Sequence, residues 1–366
     1  MLLLYRSAKS IRVNAFTYMV TIREVAKQAK VSPSTVSLVL NDTEHAVRIS
    51  ESTRDRVIRV AHALGYQPNS FARALRKNKS SAIALLAFDI VDPYCVHVLR
   101  GAEEVINANG FFPILSDIQN NEQEMRRHIA LFKQRRVEGL LILASSVNLD
   151  RNQILELRRS DVPLVVIGRE LEEVGVPTVV MDNVGGAFLA VEHLLQLGHE
   201  KVGFILGPAN YIDSMQRWEG ATKAMRAYAT EVDSDLVARE MEDGWGPEAG
   251  YHSMKELMKK GKGMTAVFAF DDISAFGAIR AITEAGLVVP DDISVVGFDD
   301  LPAAAFYNPP LTTIHNSMVE MGRKGAELLL ELIANNASLA KTPTVRAETS
   351  LVVRKTTAPR RSREDA

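Results

Sequence analysis

Residues 31–41 read VSPSTVSLVLN and set Ser32, Ser34, Thr35 and Ser37 within six positions, with no charged side chain among them. Short hydroxyls on an uncharged stretch suit hydrogen bonding to neutral edges, not acid–base work. Acid–base chemistry would have to come from elsewhere. The acidic pairs Asp271–Asp272, Asp291–Asp292 and Asp299–Asp300 could supply it, or could hold a metal. Asp272 and Asp292 read more plainly as helix- or turn-capping residues. The eight histidines are scattered, and His252 and His315 have no metal-ligand companions in sequence. No dinucleotide-binding glycine motif, phosphate loop, HExxH or GxSxG occurs. The single cysteine, Cys95, excludes an internal disulfide and a site of several thiolates, and it points to a reducing cytoplasm. No catalytic residue, metal or cofactor is expected.

The hydroxyl-rich stretch belongs to a basic region. Residues 1–79 carry 14 Lys and Arg against 5 Asp and Glu, a net of +9, whereas the remainder carries −11 within a total of −2. A basic head on an acidic body is the electrostatic pattern of a separate nucleic-acid-binding module. Three helices are readable in it. Thr21 and Glu24 form a capping box before Ile22, Val25, Ala26 and Ala29, which recur at helical spacing. Ser32 then caps a second helix with Pro33 at its first position, after so short a connection that the pair reads as a helix-turn-helix. Ser50 caps a third helix, which Gly65 ends. On the second helix, Val36, Val39 and Leu40 make a stripe that must pack on its neighbours. Ser34, Leu38 and Asn41, with Ser37 beside them, face the other way. Such a face fits the base edges and thymine methyls of a DNA major groove, while the helix N-terminus and Thr35 hold phosphate. The bland alternative is a three-helix protein-interaction module.

The 18 residues before Met19 make a poor secretory signal, because their apolar run precedes the charges and no cleavage site follows. Translation is expected to start at Met19, with 1–18 disordered or wrongly assigned. The head spans 19–67, and a strap at 68–79 carries Asn69, Ala72, Ala74, Leu75 and Arg76. That strap is a helix of one or two turns at most, marginal when alone and ordered on binding. An apolar side chain flanked by Arg73, Arg76 and Lys77 suits a minor-groove wedge, and the alternative is a flexible basic linker.

From residue 80 onward, apolar runs alternate with helix-length segments in two series: AIALLAF, FFPIL, GLLILA, PLVVIG and TVVMD, then KVGFIL, TAVFAF and ISVVGF. Continuous apolar strands alternating with helices predict parallel sheets covered on both faces. Two series predict two doubly wound lobes with a cleft between them. Ligands of such folds bind beyond the carboxyl ends of strands, where this sequence places Asp89, Tyr94, Arg169, Asp182, Asp271, Asp272, Asp299 and Asp300. Arg217 falls at a loop-to-helix transition and Asn316 at the end of a short extended run. The expected body covers 80–356, with lobe 1 at about 80–181 plus 316–342, lobe 2 at about 182–315 plus 343–356, and a disordered tail at 357–366. No apolar run reaches eighteen residues, so no membrane span is expected.

With these pieces placed, the chain resembles the lactose/galactose repressor (LacI/GalR) family of bacterial transcription regulators. The resemblance runs from Val20 to about Arg354 through TIREVAKQAKVSPSTVSLVLN, LGYQPNSFARALRKNKS, VEGLLILA, HLLQLGHEKVGFILG, TAVFAFDDISAFGAI, VPDDISVVGFDD and PPLTTIH, in that order. It implies an all-α helix-turn-helix headpiece and a two-lobed α/β effector domain like a periplasmic binding protein. By the same resemblance a cytoplasmic homodimer sets its second helix into each half of a palindromic operator, under allosteric control by a small molecule. Pro33, Ser34 and Leu38 then occupy base-reading positions, and Thr21, Ser32, Tyr66 and Asn69 join the DNA face. Leu75 matches the hinge leucine that wedges into the minor groove. Leu38 stands where family members often carry Arg or His, which limits it to apolar contact. Arg217 and Asp299 match the pair that clamps ligand polar groups, and Asp271 and Asn316 match polar cleft positions. Arg169 falls where ligand classes differ. Tyr94 and Cys95 stand where many members place stacking rings, and Cys95 in place of one ring argues against a purine-like ligand. A sugar or related hydroxylated metabolite fits an arginine among carboxylates better. After SLVVRK only eleven residues remain, without the heptads of a tetramerising tail, so dimers are expected.

Two rival readings stay open on the sequence. A two-lobed periplasmic sugar-binding protein would account for the body but not for the basic head. A cytoplasmic sugar-metabolising enzyme would use the acidic pairs for catalysis.

Overall fold

A computed structural model of the chain describes residues 20–40, 49–66, 80–144, 162–209, 211–239, 246–260, 263–335 and 343–360, with 155 and 158. The proposed extension at 1–18 and the site candidates Asn41, Asn69, Ala72, Arg73, Leu75 and Arg76 lie outside the described residues. The chain divides into two units, Met1–Asn78 and Lys79–Ala366.

The first unit is a three-helix cluster of α1 (Ile22–Ala29), α2 (Pro33–Leu40) and α3 (Glu51–Ala63). Val25, Ala26 and Ala29 of α1 meet Val36 and Val39 of α2 and Val57 and Ala61 of α3 in one small core. The connection between α1 and α2 is sharp because Lys30 adopts the left-handed conformation, φ 54°, and the Val31 amide donates back to the Ala26 carbonyl at 3.0 Å. A lysine there gives up a little stability relative to glycine in a conformation that favours glycine. The capping box forms, with the Thr21 amide donating to the Glu24 carboxylate at 2.7 Å. Ser50 sits at the start of α3, but its oxygen engages the Thr53 hydroxyl at 3.0 Å and not a backbone amide. Gly65, at φ 65°, ends that helix and lets the Tyr66 amide return to the Ala61 carbonyl.

The second unit holds two six-stranded sheets. The first is ordered β11-β5-β4-β3-β1-β2 and the second β12-β10-β9-β8-β6-β7. The strands of the first are β1 (Ala82–Ala87), β2 (Phe112–Asp117), β3 (Gly139–Leu143), β4 (Leu164–Ile167), β5 (Thr178–Met181) and β11 (Thr344–Ala347). Those of the second are β6 (Val202–Leu206), β7 (Val237–Arg239), β8 (Ala266–Ala269), β9 (Ser294–Asp299), β10 (Thr312–Asn316) and β12 (Thr349–Val352). Every pairing is parallel except β10 with β12. β1, β3, β4, β5, β6, β8 and β9 are buried along their whole length, as strands covered on both faces must be.

Helices cover these sheets. α4 (Pro93–Ala108), α5 (Glu122–Gln134) and α11 (Met318–Ala334) belong to lobe 1. α6 (Asn183–Gln196), α7 (Ile212–Ala227), α8 (Pro247–Lys260), α9 (Asp272–Glu284) and the short α10 (Pro302–Phe306) belong to lobe 2. The α4–α11 pair packs backbone against backbone. A Cβ on Gly101 would collide with the Val319 carbonyl, and one on Gly322 with the Val98 carbonyl.

The chain passes between the lobes three times, after β5, after β10 and between β11 and β12. This corrects two expected boundaries. Thr344–Ala347 pairs with β5 and therefore belongs to lobe 1, whereas the expectation put lobe 2 from residue 343. The physical reason is that β11 completes the edge of the first sheet before the last crossing. The expected disordered tail also starts too early. The Val295 amide donates to the Thr356 carbonyl, His199 engages the Ala358 carbonyl at 2.9 Å, and the Arg360 amide donates to the Leu197 carbonyl, so residues through 360 are tied to lobe 2.

Candidate effector cleft and nucleic-acid face

In the head, the buried side of α2 is Val36 and Val39, which turns the hydroxyl-rich side away from the core. Ser32, Pro33 and Ser34 are exposed, and Thr35, Ser37 and Leu38 are half-buried. Ser32 caps the helix by accepting from the Thr35 amide at 3.1 Å, and the two hydroxyls lie 2.9 Å apart. The α2 N-terminus therefore presents exposed small side chains and the positive end of the helix dipole on one surface. Thr21 is exposed, with its hydroxyl donating to Glu24 at 3.0 Å. Tyr66 is half-buried, with its ring packed against the head core.

In the body, both sheets carry the strand order of doubly wound folds, so the ligand crevice is expected off the carboxyl ends of the strands, at the switch points β1/β3 and β6/β8. Those ends carry the candidate residues. Asp89 follows β1, and three residues later Asp92 caps α4, accepting from the Tyr94 amide at 2.9 Å. Asp271 follows β8 and caps α9 through the Ser274 amide at 2.7 Å. Asp299 ends β9 at φ 105°, a conformation that costs a non-glycine residue about 1–3 kcal/mol and is held only where surroundings impose it.

Those surroundings are a buried network. Arg217, from the second turn of α7, donates through Nη2 to Asp299 Oδ1 at 3.2 Å, through Nη1 to the Phe270 carbonyl at 2.6 Å and through Nε to Asn183 Oδ1 at 2.9 Å. The Phe298 ring lies 3.8 Å from the guanidinium carbon and the Phe270 ring 4.7 Å. Asn316 donates its amide to Asp299 at 2.8 Å. Met181, at the end of β5 in lobe 1, places its sulfur 3.7 Å from Arg217 Nη2 and 3.8 Å from Asn316 Nδ2. The network thus sits where the lobes meet. Arg217, Asp299, Asp271 and Asn316 converge as the sequence pattern anticipates.

Burial sets the electrostatics. It raises the Asp299 carboxyl above its ordinary range, with Asp271 adding to the rise and Arg217 opposing it. It pushes Asp213 up to about 7, again against Arg217. Asp92 is raised well above the usual range by burial and then by Asp271, Asp299 and Asp89, against the amide of Tyr94. Asp272 is a structural carboxylate, accepting from the Leu301 amide at 2.7 Å and the Thr313 hydroxyl at 2.5 Å. Arg169 is half-buried after β4, and desolvation lowers its pKa. Tyr94 is buried and stacks on Phe88, with ring centroids 6.4 Å apart. Cys95 has no exposed surface, and burial pushes its thiol up to about 12. It is part of the lobe 1 core, and any role toward a ligand is that of a wall.

Sequence reasoning missed Asn183, Asp213, Met181, Phe298 and Asp92. The first four carry no motif, since their importance comes from meeting Arg217. Asp92 had a signal, because Asp-Pro before an apolar helix marks a cap.

A DNA-reading three-helix head joined to a two-lobed body with a polar network at its lobe junction defines a ligand-responsive transcriptional regulator. The comparisons with known proteins agree. Residues 21–69 match the model of bacterial regulatory proteins of the lacI family, and residues 191–357 match a periplasmic binding protein-like domain. The HTH-type transcriptional repressor PurR of Mannheimia succiniciproducens is 34% identical over 337 residues, covering 92% of this chain and 98% of its own length. Its counterpart from Haemophilus influenzae is 35% identical over 321 residues, covering 87% and 92%. A lac repressor dimer bound to operator and the anti-inducer ONPF superposes with a TM-score of 0.82 at 28% identity, covering 93% of this chain and 99% of that one. A complex of the transcriptional regulator CelR with cellobiose reaches 0.68 at 29% identity over 92% and 99%. The chain belongs to the lacI family of bacterial transcriptional regulators, and it is not an enzyme. Among the described residues no helix is long and apolar enough to cross a membrane.

Proposed function

We propose that the protein is a cytoplasmic repressor that binds a palindromic operator as a homodimer and responds to a sugar or related hydroxylated metabolite bound between its lobes. The observation that carries this reading is the Arg217–Asp299–Asn316 network, which touches Met181 of the opposite lobe and so ties a ligand-sized polar site to lobe closure. Polar groups of a ligand are met by Arg217, Asp299, Asp271 and Asn316, with Arg169, Tyr94 and Cys95 around them. Pro33, Ser34 and Leu38 read base edges, Thr21, Ser32, Thr35, Ser37, Asn41, Tyr66 and Asn69 position the helix, and the strap places Leu75 in the minor groove between Ala72, Arg73 and Arg76. Ligand closes or shifts the lobes and thereby changes how paired straps approach one another. The coupling is reciprocal, so operator DNA changes ligand affinity by the same factor.

The test is a gel shift with DNA from upstream of the protein's own gene at two salt concentrations, with and without a panel of hexoses, cellobiose and hypoxanthine. Purine bases form the opposing arm because the curated relatives carry the PurR name. Specific, salt-sensitive binding that one panel member alters supports the reading. Leu75→Ala is expected to weaken operator binding and leave ligand binding intact. Arg217→Ala is expected to abolish the ligand response while operator binding persists. Retention of a normal response by Arg217→Ala would refute the proposed cleft.

A further inference from the structure

The cleft holds more negative charge than its arginine can answer. Asp92 from lobe 1 is close enough to Asp271 and Asp299 of lobe 2 that both act on it electrostatically, and its third charged neighbour, Asp89, is also acidic. Arg217, the cation that acts on Asp299 and Asp213, already commits three of its five N–H groups within the protein, and two phenylalanine rings lie against it. Among the described residues, no three His, Cys, Asp or Glu side chains lie close enough together to hold a metal ion. The carboxylates therefore surround a space for something larger than an ion.

A second observation points the same way. Asn316 is 1% exposed, and its amide nitrogen is spent on Asp299. Its carbonyl oxygen Oδ1 is buried with no hydrogen-bond partner. An unmet buried acceptor costs about 1–3 kcal/mol, so such an atom beside a ligand cleft marks where a ligand donates. Carboxylates and a bare amide oxygen all accept. What they would bind must donate, and part of it must be positive, since hydroxyl groups satisfy acceptors without offsetting buried charge.

We infer that the effector carries a protonated amine, held between Asp92 of lobe 1 and Asp271 and Asp299 of lobe 2, on a hydroxylated body that donates to Asn316 Oδ1. The chemical class is an amino sugar. This rests on the effector cleft proposed above and narrows its ligand. The amine bridges carboxylates from both lobes, so closure is favoured by the charge itself, and a neutral hexose of the same shape lacks that contribution.

The experiment uses the full-length protein at slightly acidic pH, where the amine is protonated. Thermal shift and calorimetry compare glucosamine, galactosamine and mannosamine with glucose, galactose and mannose, and with hypoxanthine. At least one amino sugar is expected to bind about tenfold or more tightly than its hydroxyl counterpart, as charge-assisted hydrogen bonds exceed neutral ones. Asp92→Asn keeps an oxygen to cap α4, and in that variant the preference is expected to fall to near unity while unliganded melting is retained. A hexose or hypoxanthine that binds while no amino sugar binds more tightly would overturn the amine and leave the cleft standing. Silence across the whole panel would overturn both, and an undiminished preference in Asp92→Asn would overturn the bridge.

Discussion

Asp213 offers the sharpest test of the polar network. It lies buried in the first turn of α7 and accepts from Asn183 Nδ2 at 3.0 Å, and Asn183 in turn orients Arg217. Its carboxyl is held at about 7 by burial, against an ordinary value of 3.8. The sign follows from proton uptake. A carboxyl whose pKa is raised on folding binds more protons in the folded state than in the unfolded one. Its contribution to stability is therefore whole below about pH 4, is lost progressively as pH rises towards 7, and levels off above that. One pKa unit corresponds to about 1.4 kcal/mol, so the full loss approaches roughly 4 kcal/mol, of which about 2–3 kcal/mol falls between pH 5 and pH 8. Asp213→Asn removes the titration and keeps an oxygen for Asn183. Urea unfolding of both proteins across that range should show the variant gaining about 2–3 kcal/mol on the wild type between pH 5 and pH 8. The difference cancels the other titrating groups, including His193 and His199, whose pKa values burial lowers. Parallel profiles for the two proteins would refute the claim that Asp213 is shut away from water beside Arg217.

Four further outcomes follow from the same coordinates. Arg217→Ala leaves Asp299 buried without its cation and should cost about 3–5 kcal/mol in chemical denaturation, and a cost under about 1 kcal/mol would mean that Asp299 is solvated. Gly322→Ala forces a methyl onto the Val98 carbonyl and should destabilise by about 1–3 kcal/mol without touching the cleft, read as a lowered Tm at unchanged ligand affinity. Ser32→Ala removes the cap of α2 and should cost about 1 kcal/mol, seen as faster amide exchange in the head. Cys95, with its thiol pushed up to about 12, should resist alkylation in the native protein at mildly alkaline pH and react on unfolding in urea.

The periodicities in the chain were sufficient for the three head helices, the tight turn after Ala29, the alternation of buried strands with helices and the division into two lobes. Each is a local or nearly local consequence of side-chain spacing, because a helix of 3.6 residues per turn and a strand of period two must bury the faces their residues offer. The strand-end positions of Asp271, Asp299 and Asn316 were legible for the same reason. What the sequence could not determine was which lobe takes a short strand late in the chain. Thr344–Ala347 reads like any edge strand, and only its pairing with β5 assigns it to lobe 1. Nor did Asn183, Asp213 or Met181 announce themselves, since each matters only through Arg217, 34, 4 and 36 residues away in sequence. The shifted acidity of Asp92 depends on carboxylates brought across from the other lobe. Spacing along a chain can aim a side chain at a face, but the partner it meets and the charge it feels are properties of the closed three-dimensional contact.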